Sequence, residues 1–139
     1  MDEAEIKEVN EIVFAAINRD YSKNHDMAVK MMHALAKQLQ DPGSKLVHFG
    51  NFVFQTTVKG KGLVEVHMFS KELGDRQGMA EAFGQLAQYL RGLGVKAAYA
   101  VTDDTRLADV AKITGIPFKN IKVDIPNTKG KANAYYVEL

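Results

Sequence analysis

Along the first twenty positions apolar residues return every three or four places, at Ile6, Val9, Val13, Ala16 and Ile17. That spacing predicts an amphipathic helix ending near "NRDYSKN". A second helix begins near Asn24 to Asp26 and carries Met27, Met31, Leu35 and Leu39 on one stripe. It stops at "DPG", because Pro42 disfavours helix at Asp41 and Gly43 suits a turn. From Leu46 the period changes. "LVHFGNFVFQTTV" and "LVEVHMF" are rich in β-branched and aromatic residues and are separated by "KGKG", which predicts an antiparallel hairpin. A third helix follows with Met79, Phe83, Leu86 and Leu90 inward and Gly92 and Gly94 at its end. "VKAAYAV" then predicts a buried strand, "DDTRLADVAKITG" a short capped helix, and "NIKVDI" with "ANAYYVEL" a closing hairpin. The expected order is α-α-β-β-α-β-α-β-β: one α/β domain over residues 1–139, helical to about residue 45, with a mixed, mostly antiparallel sheet flanked by helices.

Composition narrows what such a domain does. Lys plus Arg number 18 against 17 for Asp plus Glu, so no bulk positive field gathers nucleic acid or anionic membrane, and neither is an expected partner. Cys is absent, which removes disulfides, thiolate nucleophiles and cysteine metal sites and fits a reducing, cytoplasmic setting. The acidic start "MDEAEIKEVNEIVF" is unlike a secretory signal, and no run of about 18 apolar residues occurs, so a soluble protein is expected. The histidines at 25, 33, 48 and 67 show no ligand spacing, and no metal site is expected. No phosphate-binding P-loop and no nucleophile elbow is present. "KGKG" and "NTKGK" read as soluble hairpin turns, and the Met27 to Leu39 stripe as core or, if exposed, a homodimer contact.

Two places carry candidate chemistry. In "LVEVHMF" alternation puts Leu63, Glu65, His67 and Phe69 on one face and Val64, Val66 and Met68 on the other. Glu65 and His67 therefore point the same way, about 7 Å apart by strand rise. Either serves as a general base if that face lines a cleft, with His better matched to neutral pH; a plain solvent-facing side gives the same alternation. Tyr99 reaches such a cleft where strands part or packs in the core, and Tyr135 and Tyr136 face opposite sides of their strand. The second place is "GDRQGMA". A helix start exposes unpaired N–H groups and a partial positive charge, Gly78 leaves room beside them, and Arg76 adds a cation. Asp75 is equally suited to cap the same helix with its own carboxylate.

The sequence of a strand, an x-R-Q-G-M-A turn, a long helix, a strand, a short helix ending in "TGIPF" and a last hairpin resembles the GCN5-related N-acetyltransferase (GNAT) family. That family's Q/R-x-x-G-x-G/A turn falls on Asp75 to Ala80, with Gly78 and Ala80 matching and Asp75 departing from the first position. Its second element, near N-x-x-A-x-x-L-Y-x-x-x-G-F, falls on Asp104 to Ile116, with Gly115 matching. The resemblance covers the last two-thirds of the chain, residues 46–139. It implies acetyl-CoA as acyl donor, held at Arg76, Gln77, Gly78, Met79 and Ala80, and transfer to an amine with Glu65 or His67 as base. Ala111 stands where many members carry an acidic Tyr, and Asp104 replaces the Asn. Those departures and Asp75 imply the other outcome as well: a lapsed scaffold or binding protein, such as a phage structural or accessory protein or a regulator.

Overall fold

A computed structural model describes residues 1–72, 75–101, 112–124 and 131–139. Helix α1 (Glu3–Asp20) and helix α2 (His25–Gln38) are followed by strands β1 (Ser44–Phe49), β2 (Phe52–Gly60) and β3 (Leu63–Ser70). Helix α3 (Arg76–Gly92) then leads to β4 (Ala97–Val101), β5 (Lys119–Asp124) and β6 (Lys131–Glu138). The six strands form one sheet in the order β1-β2-β3-β4-β6-β5. Among the described strands only the β3–β4 pair is parallel, because α3 carries the chain across between them.

The expected α/β class and mixed, mostly antiparallel sheet are present, with one correction to the element order. "LVHFGNFVFQTTV" is two strands and not one. Gly50 takes a φ of 59° and, with Asn51, turns β1 back onto β2, so that Phe49 pairs with Phe52 and Ser44 with Thr57. A two-residue loop of this kind matches the strand twist, and glycine carries the positive φ at no steric cost. Strand structure also begins at Ser44, slightly ahead of the expected boundary. The "KGKG" hairpin forms as expected, with a register shift between Val58 and Gly60. Residues 112–114 are helical, while the rest of the expected short helix, with Asp104 and Ala111, lies outside the described residues.

Each face of the sheet has its own core. On one side α3 lays Met79, Phe83, Leu86 and Leu90 onto Phe52, Phe54, Val64, Val66, Ala98, Tyr135 and Val137. Phe54 is fully buried, with its ring centroid 5.1 Å from that of Phe83 in an edge-on contact. On the other side Val9, Ile12, Val13, Ala16 and Ile17 of α1, with Ala28 and Leu35 of α2, cover Val53 and Phe69. Ile6, expected on the inner stripe of α1, is exposed, because it borders an open groove with Met32, Leu35, Leu39 and Leu46. The guanidinium of Arg19 donates to the carbonyl of Ser70 at 2.7 Å and ties the end of α1 to the end of β3. No helix among the described residues is long and apolar enough to cross a membrane.

Candidate functional site

The register of the strands turns an alternation in one strand into a row across the sheet. Ser44 lies beside Thr57, Thr57 beside Glu65, Glu65 beside Tyr99, and Tyr99 beside Tyr136. All five side chains occupy the α1/α2 face, since neighbours across a ladder point the same way. The adjacent row pairs Gln55 with His67, and the one after that pairs Val53 with Phe69 under α1. Moving back along β3 from Phe69, the covered apolar face therefore gives way to polar groups within two rows.

That change coincides with a break in the ladder. β3 and β4 pair at Leu63–Ala97, Val64–Ala98 and Glu65–Tyr99, and no further. Beyond the last pair β3 stays with β2 as far as Ser70, and β4 stays with β6 as far as Val101. Among the described residues, backbone groups on the facing edges of these extensions have no ladder partner, which leaves a slot between two parallel strands.

Glu65 and Tyr99 stand at the head of the slot. The Tyr99 hydroxyl donates to Glu65 Oε2 at 2.9 Å, and Lys59 Nζ lies 3.9 Å from the same oxygen. Partial burial, together with the hydrogen bond and the negative charge of Glu65, pushes the Tyr99 hydroxyl up to about 12, so it remains a neutral donor at physiological pH. The residue His67 is exposed at one edge, yet its ring meets Phe69 edge-on with centroids 4.6 Å apart. Desolvation lowers its pKa below the ordinary 6.5, outweighing Asp20 and Glu65, which pull it up. The imidazole is thereby kept neutral and able to take a proton. Of the two bases expected from the strand pattern, Glu65 is engaged by Tyr99 and Lys59, and His67 has the freer ring.

Both line a cavity of about 230 Å³ with Gln38, Asp41, Ser44, Gln55, Thr57 and Lys59. Sequence reasoning did not assemble these six, which come from α2, the turn after it and the two strands β1 and β2. The available signal was "QTT" interrupting an apolar strand. Gln55 is 8% exposed, and its amide donates to Gln38 Oε1 at 2.8 Å and to Ser44 Oγ at 3.2 Å. Ser44 Oγ is in turn 3.3 Å from Thr57 Oγ1. Partnering of this kind offsets the cost of burying an amide on a core face.

The start of α3 is capped. Asp75 Oδ1 accepts from the Gly78 amide at 2.8 Å, and the Asp75 carbonyl accepts from Met79 at 2.9 Å. Asp2 and Asn24 cap α1 and α2 through the same i to i+3 contact, at 2.8 and 3.1 Å. One detail separates them. Glu5 and Met27 carry side chains at the capped position, whereas a Cβ on Gly78 would lie 2.2 Å from Asp75 Oδ2. Gly78 thus lets a carboxylate lie directly over the helix start, in the place that an oxyanion of a ligand would take. Arg76 and Gln77 are exposed, while Met79 and Ala80 are buried in the α3 core. Of the two closing tyrosines, Tyr135 is buried on the α3 side and Tyr136 is half-buried on the face of Glu65.

No family model matches the chain, and no curated protein matches it in sequence. Solved structures match it in shape. An aminoglycoside 6′-acetyltransferase type Ii superposes with a TM-score of 0.64 at 12% identity, covering 95% of this chain and 88% of the other. A probable acetyltransferase of the GNAT family from Chromobacterium violaceum gives 0.63 at 12% identity, over 94% and 82%. The PaiA N-acetyltransferase of Thermoplasma acidophilum, solved with coenzyme A, gives 0.60 at 8% identity, over 100% and 96%. The chain has the GNAT fold. The GNAT fold extends over the N-terminal helices too, beyond the two-thirds of the chain that the sequence motifs covered.

Proposed function

We propose that the protein is an acyl-CoA-dependent N-acyltransferase, with acetyl as the acyl group and a small amine as acceptor. The observation that carries this reading is the coincidence of the slot with the polar cavity: Glu65 and His67 belong to the cavity and stand where β3 and β4 separate. Amine acylation asks for a thioester held beside a nitrogen, a donor to the carbonyl oxygen and a base for the ammonium proton. Edge backbone groups of the slot suit the first two needs. Neutral His67 suits the third, and Glu65 attracts and orients the ammonium. His67 takes a proton from the ammonium, the free amine nitrogen attacks the thioester carbonyl carbon, the carbon–sulfur bond breaks, and the second nitrogen proton is lost as the thiolate leaves and is protonated. Tyr136, half-buried on the same face, is a proposed proton donor to the thiolate, since Ala111 has no hydroxyl to give.

The diphosphate of the acyl donor belongs, on this reading, at Arg76 to Ala80. The amides suit it and Asp75 opposes it, because the two anions compete for the Gly78 N–H. Binding of the donor then requires the Asp75 side chain to swing aside, and Asp75→Ser removes the competing charge while keeping a capping oxygen. The same carboxylate is the observation that favours a second reading, a GNAT-fold binding protein without turnover. Amine-dependent release of CoA thiol from acetyl-CoA, followed from about pH 5 to about pH 8, separates the two. Acyl transfer gives a rate that rises with pH through an apparent pKa below 6.5, the direction in which His67 is shifted. No thiol release, in the wild type or in Asp75→Ser, would leave the binding protein.

A further inference from the structure

The lining of the cavity says what kind of amine it takes. Every side chain around it is polar: Gln38, Asp41, Ser44, Gln55, Thr57, Lys59, Glu65 and His67. Their carbon atoms supply much of the lining surface, so an alkyl body finds contact there but leaves the polar ends of these side chains without partners. The cavity, at about 230 Å³, is also below the roughly 300–1,000 Å³ of sites for drug-sized ligands, so the bound part is small.

The hydrogen-bond network has a direction. The Gln55 Nε2 spends its hydrogens on Gln38 Oε1 and Ser44 Oγ, which leaves Gln55 Oε1 as an acceptor. Gln38, accepting through Oε1, keeps its own NH₂ as a donor. Ser44 accepts from Gln55 and shares one further hydrogen bond with Thr57, in which either hydroxyl donates, so the pair keeps both donor and acceptor capacity toward the cavity. Donors and acceptors beside one another suit hydroxyl groups, which give and accept at once. The charges add a sign. Asp41 and Glu65 are countered by Lys59 alone, so the lining favours a cation.

We infer that the acceptor is a hydroxylated ammonium compound, an amino sugar or amino alcohol, with its nitrogen at Glu65 and His67 and its hydroxyls on Gln38, Gln55 and Thr57. This deepens the acyltransferase reading and rests on it for the chemistry, but binding of the amine is measurable with no acyl donor present. The probes are glucosamine, glucose as the partner without an amine, 1,4-diaminobutane and 3-methylbutylamine, each at millimolar concentration against the full chain in thermal unfolding.

Glucosamine alone is expected to raise Tm by several degrees at saturation. The rise is expected to be lost in Gln55→Leu and reduced in Thr57→Val, which keeps the shape of the side chain and removes only the hydroxyl. An equal or larger rise with diaminobutane or 3-methylbutylamine, an unchanged glucosamine rise in Thr57→Val, or no rise with any probe would overturn the inference. A glucosamine rise without acetyl transfer from acetyl-CoA would keep the ligand class and sink the acyltransferase. Transfer to diaminobutane in preference to glucosamine would do the reverse.

Discussion

The two faces of β3 share a backbone and carry opposite chemistry. Val64 and Val66 face α3 and sit in a continuous apolar core with Phe54, Met79 and Phe83. Leu63, Glu65, His67 and Phe69 face the other way, and only Phe69 is covered by the apolar residues of α1. The difference follows from how much of each face its helices cover. α3 runs along its face beside the strands, while α1 and α2 cover the Val53–Phe69 row and leave the Gln55–His67 and Thr57–Glu65 rows to line a cavity. On the first face the core side chains are apolar, including those around a small cavity of about 40 Å³ beside Val66, Phe83 and Tyr135. On the second, polar groups collect where the ladder between β3 and β4 ends.

Substitutions on the two faces should therefore fail in different ways. The largest effect on folding is expected from Phe54→Ala, which empties a fully buried site on the α3 face and costs about 3–5 kcal/mol. A fall of Tm by many degrees in thermal unfolding checks it; a small change would mean that the α3 core is loose.

Asp75→Ala removes a cap and should cost about 0.5–2 kcal/mol. Its informative readout is the contrast with Asp2→Ala on α1, which should cost a similar amount and leave affinity for acetyl-CoA unchanged. Asp75→Ala should raise that affinity. Equal behaviour of the two variants toward acetyl-CoA would show the start of α3 to be a cap and nothing more.

Tyr99→Phe should cost about 0.5–1.5 kcal/mol for a hydrogen bond at the edge of the cavity. With its folded pKa raised from 10.0 to about 12, Tyr99 contributes stability that is complete below pH 10 and is lost as pH climbs toward 12. Absorbance titration of the tyrosinates should show one late component that disappears in Tyr99→Phe. The smallest effect is that of His67 on stability. Its folded pKa lies below the unfolded 6.5, so the unfolded chain binds the proton more readily and stability falls as pH drops through that value. His67→Gln should flatten the slope and leave Tm near pH 8 unchanged.

Much of this was legible in the chain because local rules and tertiary structure agree. The 3.6-residue period of α3 names its buried face, and the alternation in "LVEVHMF" puts Glu65 and His67 together. The turn at Gly50–Asn51 was not legible from apolarity, since Phe49 and Phe52 continue the hydrophobic run through it; the two-residue loop signal was there to be read. The cavity was illegible for a deeper reason. Gln55, Ser44 and Gln38 meet only through the register of β1 on β2 and the docking of α2, and one strand's pattern carries neither. Asp75 was readable both as a cap and as an obstacle to phosphate, and its contact with Gly78 makes it a cap.

The most direct test of a chemical face and a structural face on one strand is the rate of acetyl transfer from acetyl-CoA to glucosamine in His67→Gln, with Tm measured on the same sample. The account predicts a loss of about 10²–10⁴-fold in kcat, the worth of a general base, with Tm preserved near pH 8. An unchanged kcat, or a loss that comes only with a fall in Tm, would contradict it.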